Sequence, residues 1–210
     1  MLGLSWSPVP DATVLDIETP HGPARAHVTK VRGAGGAVVL GHGAGGGVVA
    51  PDLVTVAEVA QAEKLSVALI EQPYRVAGRR SPAPAAQLDA AWIAVVSHLR
   101  AGTLKGLPLV CGGRSSGARV ACRTAADTGP VGILCLAFPL HPPGRPEASR
   151  QDELDAVTVP VLVVQGASDP FGMPPPGPSR SVVTVKGNHG LRSDREAIRT
   201  AVRDWLSQVV

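Results

Sequence analysis

Residues 109–122, LVCGGRSSGARVAC, set Ser115 and Ser116 side by side between glycines, after an apolar run and before a helix-like stretch. A serine hydroxyl is a weak nucleophile near neutral pH and gains reactivity from a base that a third group orients. One register fits G-x-S-x-G: Gly113, Arg114, Ser115, Ser116, Gly117. On a sharp strand-to-helix turn the serine backbone is strained, and small residues two positions before and after it keep neighbouring chain from clashing. A nucleophilic Ser116 would put the Arg114 side chain at one of those positions, so Ser115 is the candidate nucleophile.

Partners for such a serine should follow in the order acid, then histidine, each just beyond a later strand. VPVLVVQG is followed directly by ASDPFG, which offers Asp169, and SVVTVK is followed by GNHGLR, which offers His189. The acyl transfer these groups support passes through a tetrahedral oxyanion, which needs donors aimed at it. One is the backbone N–H of Ser116, at a helix N-terminus where the dipole favours negative charge. The second is assigned to Ala44 in the loop GHGAGGG, with Gly43 and Gly45 as neighbouring alternatives. His42, within that loop, is read as making a structural hydrogen bond rather than acting as a base.

The same loop supports a different chemistry. Gly41, Gly43 and Gly46 spell G-x-G-x-x-G after a strand, and Glu71 ends the next strand where a ribose-binding acid would sit, as in a nicotinamide-dinucleotide enzyme. Against this, VVAP separates Gly47 from a helix that begins near Pro51, so that helix would not meet a pyrophosphate. A third possibility keeps the fold as an interaction module with little catalysis.

The elements that must position these residues follow from period. ATVLDIET and ARAHVTKV alternate like strands around the turn PHGP, an N-terminal hairpin over about residues 13–31. Continuous apolar runs suited to a sheet buried on both faces lie at 37–41, 66–71, 107–112, 131–138, 159–166 and 181–186. Helices are expected over 51–64, 85–100, 116–127, a short one near 150–156, and 193–209, with Ser193 as a cap. Strands alternating with helices imply a mainly parallel sheet covered on both faces, with its chemistry at the carboxyl ends of the strands.

Composition bounds the rest. The 210 residues show no break that argues for two domains, so one domain over 1–210 is expected. With 44% hydrophobic but only 3% aromatic residues, the core must be built from Val, Leu, Ile and Ala. No apolar stretch reaches membrane-span length, and the start MLGLSWSPVPDATVLDIE lacks the pattern of a signal peptide, which points to a cytoplasmic protein. A formal charge of +3 with arginines scattered among acids gives no case for nucleic acid. Cys111, Cys122 and Cys135 are read as buried free thiols, and no Cys/His cluster suggests a metal.

Taken in order, GHGAGG, EQPYRVAGRRSP, GGRSSGARVA, FPLHPPGRPE, VPVLVVQGASDPFG and GNHGL resemble the α/β-hydrolases. Within them the likeness is to the small dienelactone-hydrolase-like branch that includes the testis-expressed hydrolase-like proteins, and it runs from about Ala37 to the C-terminus. It implies a Ser115, Asp169, His189 triad on a sheet of about eight strands, with helices on both faces and no cofactor. Dienelactone hydrolases proper use a cysteine where this chain has Ser115, so their particular substrate is not carried over.

The expected activity is that of a serine carboxylesterase for small acyl esters, with thioesters and lactones open to the same machinery. Only Pro139 to Val159 separates the strands where a lid domain would be inserted, so a lidless, open pocket is expected. Candidate substrate-binding residues are Arg114, Tyr74, Arg75 and His141. Arg114, with Arg75, Arg79 and Arg80, could hold a substrate carboxylate; alternatively Arg114 pairs with Glu71 and braces the serine turn.

Overall fold

The structure, a computed structural model, describes residues 12–210. The expectation concerning a leader falls mainly on residues 1–11 and lies outside the described residues.

Thr13–Ile17 (β1) and Ala24–Thr29 (β2) form the expected hairpin, pairing antiparallel with Thr13 opposite Val28. Its turn is closed by the Thr19 hydroxyl, which donates to the Gly22 carbonyl at 2.6 Å, and Gly22 accepts the positive φ of 98° that the turn demands. Six further strands follow: Gly36–Gly41 (β3), Leu65–Glu71 (β4), Leu109–Arg114 (β5), Gly132–Leu136 (β6), Val161–Gly166 (β7) and Arg180–Val185 (β8). They complete an eight-stranded sheet of order β1-β2-β4-β3-β5-β6-β7-β8, antiparallel only where β2 meets β1 and β4.

Strand alternation divides the core in two. In β3, Ala37 and Val39 face one layer and Val38 and Leu40 the other. The first layer is roofed by Ala85–Ala101 (α3) and Ser116–Arg123 (α4), which bury Trp92, Leu99 and Val120. The second is roofed by Pro51–Ala62 (α1) and Arg195–Val209 (α7), which bury Leu53, Val56, Val202 and Leu206. Each such side chain contributes about 1.5–3 kcal/mol on burial, which is why these aliphatic runs form a sheet covered on both faces.

Local chemistry shifts several boundaries. β5 begins two residues later than expected, because Pro108 has no N–H for the ladder; its carbonyl instead accepts Ala37 N–H at 2.9 Å. The helix expected over 116–127 breaks at Thr124, whose hydroxyl donates back to the Val120 carbonyl at 2.8 Å, leaving Ala125–Thr128 (α5) as a separate turn. Asp194, not Ser193, caps α7, accepting Ala197 N–H at 3.2 Å. A one-turn helix not anticipated from the pattern, Pro73–Val76 (α2), follows β4. Between β6 and β7 the only helix is the five-residue Gln151–Asp155 (α6), so no lid domain covers the sheet edge.

Candidate active site

The chain runs from β3 through α1 to β4 on one side, then crosses to β5 on the other side of β3, so the crevice between the carboxyl ends of β3 and β5 is a topological switch point. Ser115 sits there with φ 52° and ψ −109°, a conformation that costs a non-glycine residue about 1–3 kcal/mol. Its N–H is tied to the Leu136 carbonyl at 2.8 Å. The flanking glycines are required by the close approach of β3: a Cβ on Gly113 or on Gly117 would lie 2.4 Å from the Gly41 carbonyl oxygen. Gly41 therefore serves the serine turn, and Glu71 binds His27 rather than standing free, so neither does what a dinucleotide fingerprint would ask.

Asp169 and His189 follow β7 and β8, and the sheet brings both to this crevice. Ser115 Oγ lies 3.0 Å from His189 Nε2, and His189 Nδ1 lies 2.9 Å from Asp169 Oδ2. A carboxylate can only accept, so His189 carries its proton on Nδ1 and presents Nε2 as the acceptor for the serine O–H. Asp169 is almost fully enclosed, whereas His189 keeps an edge open to solvent. Two residues that sequence reasoning missed complete the arrangement. Phe171 places its ring 4.2 Å from the His189 ring, centroid to centroid, and its N–H donates to Asp169 Oδ1 at 2.9 Å. Gln165 donates from Nε2 to Asp169 Oδ2 at 2.9 Å; an amide inside the apolar run VLVVQG was the signal.

The glycine loop after β3 is held from below. His42 is buried and uses both ring nitrogens: Nδ1–H donates to the Gly43 carbonyl at 2.8 Å, and Nε2 accepts Gln72 N–H at 3.1 Å. Burial lowers its pKa below the usual 6.5, consistent with a neutral ring in a structural role. The Tyr74 hydroxyl donates to the Ala44 carbonyl at 2.9 Å. As the first residue of α4, Ser116 has no intrahelical acceptor for its N–H. The Ala44 N–H likewise has no acceptor among the described residues. Both backbone N–H groups are thus left without a partner among the described residues.

Arg114 pairs with Asp52, not with Glu71. Its Nε lies 2.8 Å from Asp52 Oδ2, and its Nη2–H donates to the His189 carbonyl at 2.9 Å. Glu71 is directed to the hairpin side, opposite Arg25 in the register, and reaches His27 at 3.0 Å. Asp52 stands at the start of α1 with no solvent exposure; burial raises its pKa, and the guanidinium opposes that rise. Arg114 thus joins the serine turn, the histidine loop and α1.

An open cleft of 520 Å³ lies over the serine, lined by the Ala44–Gly47 loop, Val49, Arg114, Phe171, His189 and Arg192. Of the candidate substrate-binding residues only Arg114 faces it. Tyr74 is buried beneath the glycine loop, with its hydroxyl committed to Ala44. Arg75 turns its guanidinium to the Arg79 carbonyl at 3.3 Å. His141 bonds the Pro142 carbonyl at 2.9 Å and packs against Gly172. Among the described residues no cluster of metal-ligand side chains occurs, and no helix is long and apolar enough to cross a membrane.

Residues 34–201 match the alpha/beta hydrolase domain family. Among solved structures, the chain is similar to a lidless α/β serine hydrolase from Xanthomonas campestris, with 20% identity over 94% of this chain and 96% of that one and a TM-score of 0.71. It is also similar to Est1E from Butyrivibrio proteoclasticus, with 17% identity, coverage of 93% and 98%, and a TM-score of 0.74. Est1E has also been solved with ferulic acid bound. A third likeness is to dienelactone hydrolase from Anabaena variabilis, with 19% identity, coverage of 94% and 95%, and a TM-score of 0.70. At these identities the structural likeness speaks for the fold.

Proposed function

Because the chain belongs to the alpha/beta hydrolase family, we propose that it is a serine hydrolase that cleaves small acyl esters through Ser115, His189 and Asp169. The observation that carries this reading is the relay of 3.0 and 2.9 Å from hydroxyl to imidazole to carboxylate, on a serine whose backbone is strained. Ser115 Oγ attacks the acyl carbon as His189 Nε2 takes its proton, and Asp169 holds the ring tautomer and supports the imidazolium charge. The N–H groups of Ala44 and Ser116 receive the oxyanion. The imidazolium returns the proton to the departing alcohol, and water then repeats the cycle on the acyl-enzyme. These steps need no cofactor.

The lidless cleft of 520 Å³ favours compact substrates, since it offers little apolar surface for a long chain. Phe171 and the exposed Val49 supply an apolar flank, which suits a small aromatic or aliphatic acyl group; the ferulic acid held by Est1E is of that kind. Lactones and thioesters pass through the same intermediate. Arg114 has two of its guanidinium nitrogens engaged, which supports bracing over substrate recognition.

The test is labelling with a fluorophosphonate probe alongside hydrolysis of p-nitrophenyl acetate. Wild type should label at residue 115, Ser115→Ala should lose labelling and about a thousandfold or more in activity, and Ser116→Ala should keep most activity because a backbone N–H is unaltered. Folded wild-type protein that neither labels nor turns over would favour the interaction-module reading.

A further inference from the structure

We infer that Gln165 is the positioning residue of the site's acid, orienting Asp169 and tuning how strongly it holds the His189 proton. This rests on the serine-hydrolase reading above.

Gln165 is out of place by composition. It stands next to last in β7, after Val161, Leu162, Val163 and Val164, all buried, and is itself fully enclosed. Its Nε2 lies 2.9 Å from Asp169 Oδ2, 3.0 Å from the Phe138 carbonyl and 2.9 Å from the Gly172 carbonyl. Two N–H groups facing three acceptors share one hydrogen between two of them. The other end of the amide, Oε1, is buried with no partner among the described residues. Flipping the amide would press that oxygen against three other oxygens, so its orientation is fixed by the acceptors. A polar group retained in an apolar strand with half its capacity unmet is unfavourable for stability. A role for its donor half explains its presence.

That donor meets the oxygen that matters. Asp169 Oδ2 accepts both His189 Nδ1–H and the Gln165 amide, while Oδ1 accepts Phe171 N–H. With donors on both oxygens the carboxylate cannot rotate, and Oδ2 stays turned to the imidazole. The same amide staples the loop 166–172 to the segment after β6 through Phe138. A hydrogen bond to the carboxylate also spreads its charge, so it pulls less on the imidazole proton. Without the amide the imidazolium is favoured, and the neutral base needed for catalysis appears only at higher pH.

The test compares wild type, Gln165→Met and Gln165→Glu, using p-nitrophenyl acetate turnover and the rate of fluorophosphonate labelling across pH, with circular dichroism confirming folding. Gln165→Met should lose about tenfold to a hundredfold in kcat with KM within about twofold, and its acid limb should move up by about half a pH unit. Gln165→Glu sets an enclosed carboxyl against three oxygens, which holds it protonated with a single donor, so its limb should fall between wild type and Gln165→Met. A residue that only packs would lower stability without moving the limb. A folded Gln165→Met with an unmoved limb and kcat within about twofold of wild type overturns the inference. Should neither variant fold, the side-chain amide resonances of Gln165 decide between wild type and Asp169→Asn. They should move upfield in Asp169→Asn, and unchanged positions overturn the proposal. Wild type that neither labels nor turns over defeats the hydrolase reading instead, and the amide resonances then still report on the Gln165 contact.

Discussion

Adding one methyl group at Gly117 should damage this site more than its size suggests. The new Cβ would stand 2.4 Å from the Gly41 oxygen, 2.5 Å from the Gly41 carbonyl carbon and 2.9 Å from the His42 oxygen. Ordinary contact begins at 3.4 Å, so the overlap is about 1 Å and involves backbone atoms only. No side chain can swing aside, and β3 is gripped by β4 and β5 over its length. Relief therefore requires the serine turn and α4 to draw away from β3 by about 1 Å, parting Ser116 from the loop that carries Ala44. Overpacking of this kind costs about 1–3 kcal/mol, which for a chain of this length lowers Tm by about 2–12 °C. Misplacing the reacting groups by about 1 Å, or losing one oxyanion donor, lowers kcat about a hundredfold or more. Thermal melts and p-nitrophenyl acetate kinetics on Gly117→Ala provide the check. Gly35→Ala is the control, because nothing lies within 4 Å of its Cβ. If Gly117→Ala keeps a Tm within about 1 °C and kcat within about twofold of wild type, the close-approach reasoning is refuted.

Three further outcomes follow from the same contacts. Arg114→Ala strands the Asp52 carboxylate, which has no solvent exposure, and should cost about 3–5 kcal/mol in urea unfolding, part of which Arg114→Ala with Asp52→Ala restores; a loss of under about 1 kcal/mol contradicts the pairing. Glu71 has a pKa held below 4.5, chiefly by the hydrogen bond from His27, so its stabilisation is complete above 4.5 and is lost as pH falls through the lower folded value. The stability gap between wild type and Glu71→Gln should thus be level near neutral pH and close on acidification, and a gap that widens would reverse the sign. Burial pushes the Cys111 thiol up to about 12 and encloses Cys122 and Cys135, so a maleimide should label no cysteine in native protein and all three after denaturation.

That Ser115, Asp169 and His189 lie at the carboxyl ends of β5, β7 and β8 was legible because each position announces itself locally. Glycines stand two positions either side of Ser115, and Asp169 and His189 each follow a strand-like run, the first buried in β7 and the second forming the half-exposed edge strand β8. Hydrophobic period reports which faces are covered, and glycine and proline report where the chain turns; neither needs knowledge of distant partners. Hence the order of strands and helices was readable within a few residues, with errors where a single group intervened, such as Pro108 at β5 or the Thr124 hydroxyl in α4.

Partner choice was not legible in this way. Arg114 could as well have met Glu71 as Asp52, because both acids follow a strand or open a helix on the same edge; the register of β2 against β4 turns Glu71 toward His27 and leaves Asp52 facing the serine turn. Tyr74 looked like a residue of the cleft, yet it lies beneath the loop, bonded to a carbonyl thirty positions away. The Gln165 amide acquires its role from Phe138 and Asp169, which the folding of β6 beside β7 brings within 3.0 Å. A hydrogen bond is decided by a few tenths of an ångström between side chains on separate elements, and one-dimensional spacing carries no such distances. The sequence by itself therefore determined which groups stand at the sheet's working edge, and tertiary packing alone decided which of them face the cleft and which hold the others in place.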